Sequence, residues 1–180
     1  MIVRFVKGRG RRYGVHVDRD RAPALRMEPA PGYDDDLPHD LLHFVAEAEF
    51  GLDGGVFGDL AAGGNARIFE PVDSTLVAKM WRANRKRRCV LPDGHRSEQL
   101  AAALETAWKR RRGSSAELER LMPLLDELAA RWRRLRPGES IVLTWPRPET
   151  RRHAATPDAR DRRGALRASA GAPGRRAARS

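Results

Sequence analysis

The chain has 180 residues, 41% of them hydrophobic, which is enough for one domain with a real core and too few for two large ones. No apolar run approaches the roughly 20 residues that span a bilayer, and the opening Met1-Ile2-Val3-Arg4-Phe5-Val6-Lys7 lacks the apolar stretch of a signal peptide, so a membrane partner and export are not expected. The formal charge is +11, and Cys89 is the single cysteine, which excludes an internal disulfide and a cysteine-built zinc site and makes a cytoplasmic location the default.

Residues 2–7, 13–18 and 24–28 read as three short strands. Tyr13, Val15 and Val17 alternate with Gly14, His16 and Asp18, the period of a half-buried strand, and place His16 on the exposed side. Gly8-Arg9-Gly10 is a turn, and Pro29-Ala30-Pro31-Gly32 ends the meander. An amphipathic helix over about 37–49 follows. Asp34, Asp35 and Asp36 stand at its entrance, where carboxylates favour the helix dipole, with Asp36 as the expected cap. Pro38 fits its first turn and Gly51 its end. Gly54 to Gly64 is a short looped or helical segment without the pattern of a phosphate loop. Residues 65–96 read as irregular, with a short strand expected at 74–79 and a basic knot at Arg82, Arg85, Lys86, Arg87 and Arg88.

Ser97 is expected to cap a helix carrying Leu100, Leu104 and Trp108, broken at Gly113. Ser114-Ser115-Ala116-Glu117 has the form of a capping box. The stripe Leu118, Leu121, Met122, Leu125, Leu128, Ala129, Trp132 and Leu135 predicts a long helix, kinked at Pro123. Pro137-Gly138 turns the chain into a strand over 140–145. Residues 147–180 hold little apolar surface and are expected to be a disordered, Arg/Ala/Pro-rich tail. The expected fold is α+β. A small antiparallel sheet, made of the N-terminal meander and the C-terminal strand, packs on about three helices in a single domain spanning 1–146.

Charge is segregated along the chain. Residues 28–78 carry eleven acidic side chains and one basic, residues 79–136 sixteen basic and seven acidic, and residues 146–180 ten basic and three acidic. The acidic and basic blocks of the domain are therefore expected to pair with each other. Most of the excess lies in the tail, where non-specific nucleic-acid association is expected. Within the domain, Arg85, Lys86, Arg87 and Arg88 are the candidate nucleic-acid contacts.

On a helical wheel for 36–48, Leu37, Leu41, Phe44, Val45 and Ala48 fall on one side. Asp36, His39, Asp40, His43 and Glu47 fall on the other, read as the solvent side. His-x-x-x-His sets two imidazoles one turn apart, a spacing that suits a divalent metal such as zinc. The candidate ligands are His39, His43 and Glu47, with Asp59 the other carboxylate nearby and His95 and His153 remote. His39-Asp40-Leu41-Leu42-His43 resembles the HExxH zinc hydrolases with Asp40 in the place of the glutamate base, one methylene shorter. The His39-Asp40 doublet is also similar to the HD phosphohydrolases, whose further histidine, aspartate and helical bundle are missing here. Leu37-Pro38-His39-Asp40-Leu41-Leu42-His43-Phe44-Val45, with Gly51, Gly55–Gly64, Leu135-Arg136-Pro137-Gly138-Glu139-Ser140 and Leu143-Thr144-Trp145-Pro146, resembles a small uncharacterised family of bacterial proteins from GC-rich genomes. That resemblance implies a layout over 1–146 and no activity. The leading expectation is a non-catalytic interaction or regulatory role with a protein partner. The alternatives are metal-dependent hydrolysis, with Asp40 as base, and nucleic-acid association.

Overall fold

Alternation of apolar and polar residues produces β1 (Ile2–Lys7) and β2 (Tyr13–Asp18), and the shorter β3 (Leu25–Met27) follows. With β4 (Glu70–Pro71) and β5 (Ser140–Thr144) they form one antiparallel sheet of order β4-β3-β2-β1-β5. Val3 lies opposite Val17 and Leu143, Phe5 opposite Val15 and Ile141, and Val15 opposite Met27. One face is thus apolar, and the helices cover it. The other face carries Arg4, which pairs with Asp18, and His16, whose Nε2 lies 2.9 Å from Glu28. The structure, a computed structural model, describes residues 1–31, 36–86, 91–113 and 115–146, without the side chain of Lys86. Asp34, Asp35, Arg87, Arg88, Cys89, Ser114 and the tail from 147 lie outside the described residues.

The fold is α+β, and the described residues form five α-helices where about three were expected. They are α1 (His39–Phe50), α2 (Val56–Ala61), α3 (Val77–Lys86), α4 (Gly94–Arg110) and α5 (Ala116–Arg134). Phe44 of α1 packs edge-on against Phe5 of the sheet, Phe57 of α2 and Trp145, with ring centroids 6.0, 5.2 and 5.4 Å away. Trp132 of α5 closes the other end against Tyr13, 6.4 Å between centroids. The returning strand sets β5 beside β1, and Trp145 N–H continues the ladder to Met1 O at 2.9 Å.

Several local expectations are corrected. The strand expected at 74–79 is a 3-10 turn, Ser74–Leu76, running into α3. Asp73 accepts from Thr75 N–H at 2.9 Å and starts the turn, so a cap outweighs the β-branched residues Thr75 and Val77. β4 fell in a stretch read as irregular. Helix α1 begins at His39, after Pro38, and Asp36 instead meets Arg133 at 3.4 Å. Helix α4 begins at Gly94, three residues before Ser97. Ser115 caps α5 by accepting from Leu118 N–H at 3.4 Å, one residue later than the box pattern indicates. As expected, Pro123 lies inside the single helix α5, on its exposed side. Arg133–Asp36 and Arg120–Glu49 (4.0 Å) join the basic block to the acidic one, as surface pairs that add little stability.

The largest correction concerns α1. Its apolar side is core as expected, but His43 and Glu47 are buried too, at 5% and 0% exposure. Helix α1 lies between the sheet and α4, so its polar side meets a second helix rather than water.

Candidate metal centre between α1 and α4

Glu47 organises this seam. Its Oε1 accepts from Val56 N–H at 2.8 Å, and its Oε2 accepts from Phe57 N–H at 2.8 Å and Gly58 N–H at 3.3 Å. These are the first donors of α2, which have no partner within their own helix. A carboxylate on α1 thus caps α2 from outside. Gly55 makes the approach possible, since a Cβ there would stand 2.3–2.6 Å from the Glu47 carboxyl. Gly55→Ala is therefore expected to destabilise the chain by about 1–3 kcal/mol, as overpacking does, readable as a lower urea midpoint.

The fourth donor to Glu47 is the Ser97 hydroxyl, 2.7 Å from Oε1. Burial raises the Glu47 pKa, and the bonds from Ser97 and the three amides pull it back. Four donors aimed at two oxygens, at the positive end of α2, favour the carboxylate. Ser97 has one proton to give, and the carboxylate takes it. His43 Nδ1, 2.7 Å from Ser97 Oγ, is then the donor to that oxygen. Burial lowers the His43 pKa, offset in part by Glu98, so the ring is neutral with its proton on Nδ1. Its Nε2 lone pair points outward along the seam.

That lone pair meets two further groups. His39 Nε2 is 3.1 Å from His43 Nε2, and Glu98 Oε2, on α4, is 3.4 Å away. His39 Nε2 and Glu98 Oε2 are 3.7 Å apart. Glu98 is exposed, His39 half-buried and His43 buried, so the three atoms form a cup whose base is fixed and whose rim is open. A tetrahedral ion with metal–ligand bonds of about 2.0–2.2 Å needs ligand atoms separated by roughly 3.3–3.6 Å. The three separations bracket that range, and the fourth corner faces solvent. The two imidazoles and carboxylate are a donor set that first-row divalent ions accept.

Sequence reasoning placed His39 and His43 here and named Glu47 as the third ligand. The structure brings Glu98 to that position and commits Glu47 to α2 and Ser97. Asp40 is beside the cup, with its Oδ2 bound by the Tyr13 hydroxyl at 2.6 Å. Burial raises the Asp40 pKa, against the bond from Tyr13 and the two nearby imidazoles. Asp59 is elsewhere, accepting from Ala66 N–H at 2.8 Å, and His95 lies 3.0 Å from Gln99. Arg85 and Lys86 lie on the last turn of α3, away from this seam. Ser97 and Glu98 were missed as site residues. Their only local signal was a polar pair at a helix start, which reads as a cap. Among the described residues, no helix is long and apolar enough to cross a membrane.

No protein-family model, curated protein or solved structure matches this chain.

Proposed function

We propose that this protein is a cytoplasmic, non-catalytic regulatory protein that binds one divalent first-row metal ion, zinc suiting the donors best, on His39, His43 and Glu98. One observation carries the reading. The buried Glu47–Ser97 pair holds the His43 ring by its Nδ1 proton and turns its Nε2 lone pair toward His39 and Glu98, at tetrahedral spacing from those two ligand atoms. Metal-binding histidines are ordinarily oriented through the other ring nitrogen in this way. The ion would bond α1 to α4, so occupancy would tighten a seam that a protein partner can read. The reading stops short of hydrolysis because Asp40, the base in that alternative, has its Oδ2 engaged by Tyr13.

The test is zinc titration of chelator-treated protein, followed by calorimetry and thermal melting. One ion per chain is expected. At a hundredfold excess over Kd, the stabilisation is about 2.7 kcal/mol, a melting-temperature rise of roughly 5–10 °C for a domain of this size. His43→Ala and Glu98→Gln are expected to abolish the rise. Ser97→Ala keeps all three ligands but releases the ring, and is expected to weaken binding ~10–100-fold. Stoichiometric binding that survives His43→Ala and Glu98→Gln would refute the assignment.

A further inference from the structure

The second chemical feature of this chain lies away from the metal seam, under α3. A cleft of about 530 Å³ opens between α3, the β3–β4 edge and the 63–67 loop. That volume is in the range that takes a small organic molecule. Its floor is apolar, with Leu25, Pro71, Leu76 and Met80. Its polar wall is made almost entirely of donors. Arg67, Lys79, Asn65 and Asn84 line it, and Asp59, the one acid, faces Arg19 and holds Ala66 N–H.

Two of these donors are unsatisfied. The side-chain nitrogens of Asn65 and Asn84 are buried without a hydrogen-bond partner. The orientation of Asn65 is fixed, because its Oδ1 accepts from Arg67 N–H at 3.2 Å. Leaving a buried donor unpaired costs about 1–3 kcal/mol, and native folds rarely tolerate two in one place without a reason. Lys79 is exposed and makes no hydrogen bond or ion pair among the described residues. Arg67 ties the loop to α3 through a bond to Asn84 O at 3.0 Å.

The loop itself is strained. Ala66 and Arg67 are consecutive non-glycine residues at φ 46° and 60°. Left-handed backbone costs such residues about 1–2 kcal/mol each, and strain of this kind gathers at ligand clamps. Here it carries Asn65 and Arg67 to the same wall as Asn84 and Lys79.

We propose that this cleft binds a small amphipathic anion. A carboxylate or phosphate-monoester head would meet the exposed cations Lys79 and Arg67, and an apolar body would lie on Leu76 and Met80. The inference is independent of the metal reading, and its test runs with chelator present.

The experiment is a fluorescence titration of the full chain with 1-anilinonaphthalene-8-sulfonate, an anionic head on an apolar body. Saturable binding at one site per chain is expected. Octanoate or octyl phosphate should displace the probe, and whichever does so identifies the head group. Octanol, which lacks the charge, should not. Lys79→Glu is expected to weaken probe binding about tenfold, and Ala83→Trp, at an exposed lining position, to abolish it. Thermal melts of both variants should match the unmodified chain. Equal displacement by octanol, or unchanged binding in Ala83→Trp, would overturn the proposal.

Discussion

Glu47→Ala is expected to lower the unfolding free energy by about 3–5 kcal/mol, the cost of removing one partner from a buried, charged hydrogen-bond set. The carboxylate takes four hydrogen bonds, and the amides of Phe57 and Gly58 are buried with it. Without it, the start of α2 loses its cap, Ser97 loses its acceptor and His43 loses the group that fixes its ring. The regained hydration of one charge does not offset several orphaned donors at about 1–3 kcal/mol each. Glu47→Gln keeps the volume but turns an NH2 group toward backbone N–H donors. It is expected to lose most of what Glu47→Ala loses. Glu49→Ala, two residues on and exposed, is the control, with a change within about 0.5 kcal/mol. Urea unfolding measures all three. A Glu47→Ala variant within 1 kcal/mol of the parent would show that the seam does not depend on this carboxylate.

Ending the chain after Ser140 is expected to remove the cooperative unfolding transition. The truncation deletes the partner of β1 at four of its five register pairs, leaving Phe5 opposite Val15 alone. It also deletes Ile141 and Trp145, 1% and 5% exposed, and with Trp145 the ring that stacks on Phe57 at 6.0 Å. Losing a buried Trp and a buried Ile costs about 3–5 and 2–5 kcal/mol even as truncations to alanine. A domain holds only about 5–15 kcal/mol in all, and a bare β1 edge invites association. A chain ending at Pro146 keeps every one of these contacts and is expected to melt as the full chain does. Circular dichroism melts with size-exclusion chromatography separate the two. A sharp melt for 1–140 within a few degrees of 1–146 would show that the sheet stands without β5.

The two halves of the metal seam differ in how far they could be read from the chain. His39 and His43 are one turn apart on one helix, and a four-residue interval states that directly. Their third partner, Glu98, is on another helix, and the sequence offered Glu47 because it continues the same stripe. The residue that orients His43, Ser97, is 54 positions away. Its own neighbourhood identified it only as a cap. Helix α3 was lost for a related reason. Thr75 and Val77 look like strand residues in isolation, whereas Asp73 fixes the turn and Leu76 and Met80 form the cleft floor beneath α3.

What the amino-acid order determined by itself is the periodic part of the molecule. Strands β1, β2 and β5, the apolar stripes of α1 and α5 and the stop at Gly51 all follow from spacings of two, three or four residues and from backbone preferences acting within one turn. What only the tertiary structure decided is which side of α1 meets water. A wheel separates greasy from polar residues but does not say what covers the polar side. The packing of α4 over α1 buried His43 and Glu47, brought Ser97 and Glu98 to them, and turned a helix surface into a seam. Such contacts depend on where distant elements come to rest, and no local spacing records that.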